Sequence, residues 1–147
     1  MKKLFIPRML VLYSLILIIL FFFVIPGLNI IPFPFNLTGL PVAFYGFAIM
    51  GKARDLFKKY NTTLDFEASV HLIDEGVFSK SRNPMYAGMF LLVLGIAICF
   101  ENLISICIPF VFIIIVRIFF IPLEEKLMEK TFGKVYLDYK IKTRMWF

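Results

Sequence analysis

Apolar residues run without a charge from Met9 to Ile25, seventeen positions, close to the roughly 20 that cross about 30 Å of hydrocarbon. A second apolar run spans Gly39 to Gly51, a third Tyr86 to Phe100, and a fourth Leu103 to Val116, which continues through Arg117 to Pro122. Between the second and third lies a polar segment, Lys52 to Asn83, and a charged tail follows from Glu124. The pattern predicts an all-α, polytopic membrane protein with four transmembrane helices in two hairpins. The expected spans are about 9–26, 38–52, 84–101 and 103–122, within a single domain covering residues 1–147. In the tail, Leu123, Leu127, Met128 and Phe132 share one helical face, which predicts a C-terminal amphipathic helix. Gly133 suits the end of that helix, and Val135, Tyr136 and Tyr139 continue an apolar face beyond it.

Composition supports this class. Hydrophobic residues make up 61% of the 147, 19 of them Phe, and the mean hydropathy is +0.88; soluble domains sit nearer 45–50% apolar. Lys2, Lys3 and Arg8 precede the first run as in a secretion signal. The run is long for a signal core, however, and Val24-Ile25-Pro26-Gly27 offers no small-residue cleavage site. Cys99 and Cys107 lie in apolar runs without CxxC spacing, so they read as small hydrophobes. His71 is the only histidine, which excludes a metal site built on several imidazoles.

Charge then sets the orientation. The net charge of +6 gathers before the first span, between the second and third, and after the fourth, whereas Pro26 to Thr38 has no Lys or Arg. Positive flanks mark the cytoplasmic side, so a multi-pass integral membrane protein with both termini cytoplasmic is expected. The bilayer is its implied partner. No basic stripe stands on a soluble domain, which argues against nucleic acid.

Candidate chemistry concentrates on that basic side. Asn83-Pro84 is a favourable helix start, with Asn as cap and Pro at the first position, and its free amides would welcome an anion. Capping and headgroup anchoring by Asn83 and Arg82 is the plain alternative. Gly76 suits a turn with positive φ, and Gly88, inside a helix, suits close approach of a neighbour. Tyr86 reads equally as an interfacial aromatic or a pocket wall. Arg117, within the fourth span, faces either the bundle interior or, by snorkelling, the near interface. As hairpin partners, the third and fourth spans should bring Asn83 close to Glu124.

The stretch Leu72-Ile73-Asp74-Glu75-Gly76-Val77-Phe78, followed by Arg82-Asn83-Pro84-Met85-Tyr86-Ala87-Gly88, resembles the signature of integral-membrane methyltransferases of the isoprenylcysteine carboxyl methyltransferase and phospholipid methyltransferase type. Glu124-Glu125 with Leu127, then Phe132-Gly133-Lys134-Val135-Tyr136 and Tyr139, resembles that family's second motif. The likeness covers Val70 to Tyr139. It implies S-adenosyl-L-methionine as cofactor, held by about 70–88 and 123–140. By carry-over Val70, His71, Leu72, Ile73, Gly76, Phe78, Asn83, Pro84, Met85 and Tyr86 surround it, Glu124 holds one of its polar groups, and Arg82 stands at the reacting end as the catalytic residue. Asn83 replaces the usual His, Phe78 the usual Tyr and Asp74 a Thr. Phe120 stands where carboxyl-methylating relatives carry a substrate-binding Arg, for which Arg117 is the candidate substitute.

The implied reaction is methyl transfer to a lipophilic small molecule or lipidated substrate. The acceptor would be a carboxylate, as in a prenylcysteine-like group, or a lipid headgroup. A carboxylate is already ionised at neutral pH, and Arg82 could hold it bidentately; an amine needs a base, with His71, Glu75 or Glu124 as candidates. Two other readings stand beside this one. They are an NADPH-dependent, steroid-reductase-like membrane enzyme and a non-catalytic membrane scaffold.

Overall fold

A computed structural model describes residues 2–60 and 71–147, with side chains from Pro7 onward. Six α-helices follow in order: α1 (Lys2–Val24), α2 (Gly39–Lys59), α3 (Pro84–Cys99), α4 (Leu103–Ile115), α5 (Ile121–Phe132) and α6 (Lys134–Lys142). Among the described residues there is no strand, only one isolated bridge between Asn29 and Asn102. The all-α expectation holds.

Two helices are long and apolar enough to cross a membrane, Pro7–Val24 and the continuous rod Leu103–Phe132. The rod comprises α4, five residues of π-helix (Val116–Phe120) and α5. Pro122 lacks an amide, and its ring crowds the carbonyl four residues back. The chain responds by widening, so that Ile121 donates to Val116, five residues earlier. The expected separate tail helix is thus α5, a direct continuation of the fourth span. At 30 residues the rod is about 45 Å long, more than the hydrocarbon needs, and its charged end from Glu124 onward lies beyond the apolar portion. α3 is apolar but has 16 residues, about 24 Å. α2 has 21 residues, and its last third is charged.

The packing differs from two sequential hairpins. α2 lies along α3, α3 also meets α4 and α1, and α1 packs mainly on α4. Small residues explain the α2–α3 choice. A Cβ on Gly46 would meet the Gly88 carbonyl oxygen at 2.5 Å, and one on Gly95 would meet the Ala43 amide nitrogen and the Gly39 oxygen, both at 2.4 Å. These two antiparallel glycine pairs, 39 with 95 and 46 with 88, bring the backbones into contact. Gly88 therefore serves the close approach its helical position suggested.

At the end away from the basic clusters, Asn102 is fully buried. Its Nδ2 donates to the carbonyls of Phe21 and Ile25 and to Asn29 Oδ1, while its Oδ1 caps α4 through the amides of Ile104 and Ser105. One carboxamide thus joins the end of α1 to the start of α4.

Candidate functional site

α3 starts at Pro84 after Asn83, as its sequence suggests, but Asn83's side chain makes no cap bond. Its Nδ2 instead donates to the Met145 carbonyl at 3.4 Å, and its own amide donates to Ser81 Oγ at 3.2 Å. The amides of Met85 and Tyr86 are left without an acceptor inside the helix. Gly76, at φ 60°, turns the preceding loop against Leu56.

The tail is strapped across this loop. Arg82's amide donates to the Arg144 carbonyl at 2.9 Å, and Ser81 Oγ to Met145 at 3.1 Å. Arg82 Nη1 donates to the carbonyls of Lys140 (2.7 Å) and Thr143 (3.2 Å), and its Nη2 lies 3.1 Å from Glu125 Oε1. Lys140 closes the network on Glu125 at 2.7 Å and Glu129 at 2.8 Å. Tyr139 donates its hydroxyl to the Phe78 carbonyl at 2.7 Å. Arg82's terminal nitrogens are thus spent on the tail, and its Nε is buried without a partner. The residue expected to grip an acceptor is a strut in this arrangement.

Beneath the strap lie two lobes of space that share Phe57, Phe78, Arg82, Asn83 and Glu124 as walls. The tail lobe, about 520 Å³, adds His71, Leu72, Ile73, Glu125, Met128, Tyr136 and Tyr139. The other lobe, about 490 Å³, adds Pro7 and Arg8 from α1, with Pro84, Met85, Tyr86 and Met89 from α3. His71 stacks on Tyr60 with ring centroids 4.6 Å apart, and Phe57 meets Phe78 edge-on at 5.4 Å.

Glu124 stands where the lobes join. Tyr86 donates its hydroxyl to Glu124 Oε1 at 2.5 Å. Burial pushes the Glu124 carboxyl up from its ordinary 4.5 to about 7, with the Tyr86 hydrogen bond pulling part of the way back. Near neutral pH this carboxyl therefore exchanges its proton readily.

Most of the expected residues converge here. His71, Leu72 and Ile73 reach the tail lobe, Pro84, Met85 and Tyr86 the α1 lobe, and Phe78, Arg82, Asn83 and Glu124 both. Gly76 and Arg117 line neither. Gly76 shapes the turn, and Arg117, expected as a substrate ligand, is exposed in the π segment and outside both lobes. Val70 lies outside the described residues. Sequence reasoning missed Phe57, Arg8 and the roles of Tyr136 and Tyr139. For Phe57 a signal existed: Ile49, Ala53 and Phe57 recur at four-residue spacing through an otherwise charged stretch, and all three are buried.

Comparison with known proteins yields one assignment. No curated protein and no solved structure matches the chain. Residues 34–135, about two-thirds of the sequence and all of α2 to α5, match the phospholipid methyltransferase family, extending the earlier likeness toward the N-terminus. With two helices long and apolar enough to cross a membrane among its described residues and its cavity beside the signature loop, the chain belongs to the phospholipid methyltransferase family.

Proposed function

We propose that this protein transfers a methyl group from S-adenosyl-L-methionine to a lipophilic acceptor at the cytoplasmic membrane face. The observation that carries the reading is the tail lobe, where the signature loop and Glu124 border one space. The donor set suits this cofactor. It is cationic at sulfur and at its amine, and it carries an adenine ring. The lobe offers the carboxyl of Glu124, Glu125 being paired with Arg82 and Lys140, together with aromatic walls from Phe57, Phe78, Tyr136 and Tyr139.

When bound, the cofactor supplies an electrophilic methyl on a sulfonium, and the acceptor's lone pair forms the new bond as the carbon–sulfur pair returns to sulfur. The chain's own part is positioning. Glu124, lining the tail lobe, would hold one of the cofactor's polar groups, and the tail would exclude water. Arg82 keeps loop and tail together and is a positioning residue. Among the bases the sequence named, Glu124, pushed up to about 7 by burial at the junction of the lobes, is the one placed to take a proton from an amine-bearing headgroup. That observation favours a lipid headgroup over a carboxylate acceptor. We further propose four crossings with both termini cytoplasmic, since Arg8, the signature loop and the tail gather at one end of the bundle.

The test is calorimetric titration of the purified protein with S-adenosylhomocysteine and, separately, with NADPH. Saturable binding of the first, weakened at least tenfold by Glu124→Ala, is expected. Binding of NADPH alone would replace the proposal with the reductase reading, and binding of neither would favour a scaffold.

A further inference from the structure

The α1 lobe contains a cation without a counter-ion. Arg8 lines the lobe beside Pro7 and is exposed, and among the described residues no carboxylate lies within ion-pair distance of it. Arg82, the lobe's other cation, is committed to Glu125 and the tail carbonyls. The remaining lining is largely apolar, from Phe57, Phe78, Met85 and Met89. Arg8 also stands directly before the uncharged run that opens at Met9. With α1 crossing the bilayer as proposed, its guanidinium would stand near one end of the apolar run, within reach of a lipid's charged group. An arginine that only anchored a helix among headgroups would satisfy the same depth, but it would have no need to form the wall of an internal space.

We propose that Arg8 is a specificity-determining residue of the acceptor site, reading the phosphate of a membrane lipid whose headgroup turns into the α1 lobe while its chains stay in the bilayer. A planar guanidinium matches two phosphate oxygens at once. The inference rests on the proposed methyl transfer for its purpose, yet not for the binding event itself.

The single tryptophan, Trp146, packs against the cluster that includes Tyr86 and Met89 of this lobe, so its fluorescence reports occupancy. The full chain in maltoside micelles is titrated with phosphatidic acid carrying brominated chains, and in parallel with diacylglycerol carrying the same chains. Wild type is expected to be quenched at roughly tenfold lower mole fraction of the phosphate lipid, a charge-assisted contact being worth about that factor. Arg8→Gln should erase the preference, Arg8→Lys should keep most of it, and high salt should weaken it in wild type. S-adenosylhomocysteine binding should be unchanged in both variants. A preference that survives in Arg8→Gln, is absent in wild type, or ignores salt overturns the inference, as does parallel loss of S-adenosylhomocysteine binding. If no variant nor wild type binds S-adenosylhomocysteine while the lipid preference still follows Arg8, methyl transfer fails and the anion-reading role stands.

Discussion

Glu124 owes its behaviour to where α5 leaves it, under the tail and against Tyr86, with too little water to solvate a full charge. The consequence for stability has a definite sign. Its folded pKa is raised to about 7, so between pH 4.5 and 7 the folded chain holds a proton the unfolded chain has lost, and stability falls as pH rises through that window. At most about 3 kcal/mol is involved. Glu124→Gln, which cannot ionise, should flatten this slope and make the ligand-free protein more stable than wild type at pH 8. Denaturant midpoints at pH 5 and pH 8 measure it, and an equal slope in both proteins would show that the carboxyl is well solvated. This residue was readable as a ligand from its motif, but its titration was not. Burial depends on what folds over it, and neither the fold-back of α6 at Gly133 nor the bond from Tyr86 can be deduced from spacing. Arg82 illustrates the same limit: its presence in the signature was plain, whereas its terminal nitrogens answer to carbonyls about sixty residues away in sequence.

Helices were legible as elements because their apolar runs are long and their ends carry Pro, Asn or Gly. Their partners were harder to read. The order of the apolar runs suggested two hairpins, and so α1 was expected against α2. The glycine contacts overrule loop length by letting α2 approach α3 to backbone distance, worth more dispersion contact than side chains on α1 provide. The contact is testable within one helix. Gly46→Ala places a methyl 2.5 Å from a carbonyl oxygen and 2.6 Å from the Leu92 amide nitrogen and should cost about 2 kcal/mol or more. Gly51→Ala meets nothing within 4 Å and should gain up to about 1 kcal/mol through helix propensity. Thermal unfolding in one detergent compares the two, and a neutral Gly46→Ala would mean the helices do not touch there.

At the scale of the molecule, the basic residues and the cavity share one end, and the Asn102 junction occupies the other. If the positive flanks orient the chain as proposed, single cysteines at Lys52 and Lys134 should react with an impermeant maleimide only from the cytoplasmic side. A cysteine at Asn36 should react only from the opposite side. Vesicles of known orientation decide it, and labelling of positions 36 and 134 from the same face would remove the topology.

The two lobes take their walls from Pro7 near one extremity to Tyr139 near the other, and they are laced shut at Met145. A space assembled in this way belongs to no fragment of the protein. A ligand in the α1 lobe touches α1, α2, α3 and α5, and one in the tail lobe α2, α5 and α6, so filling both clasps the whole bundle. A molecule that favours the closed cavity thereby protects the entire chain against unfolding, in proportion to the logarithm of its concentration.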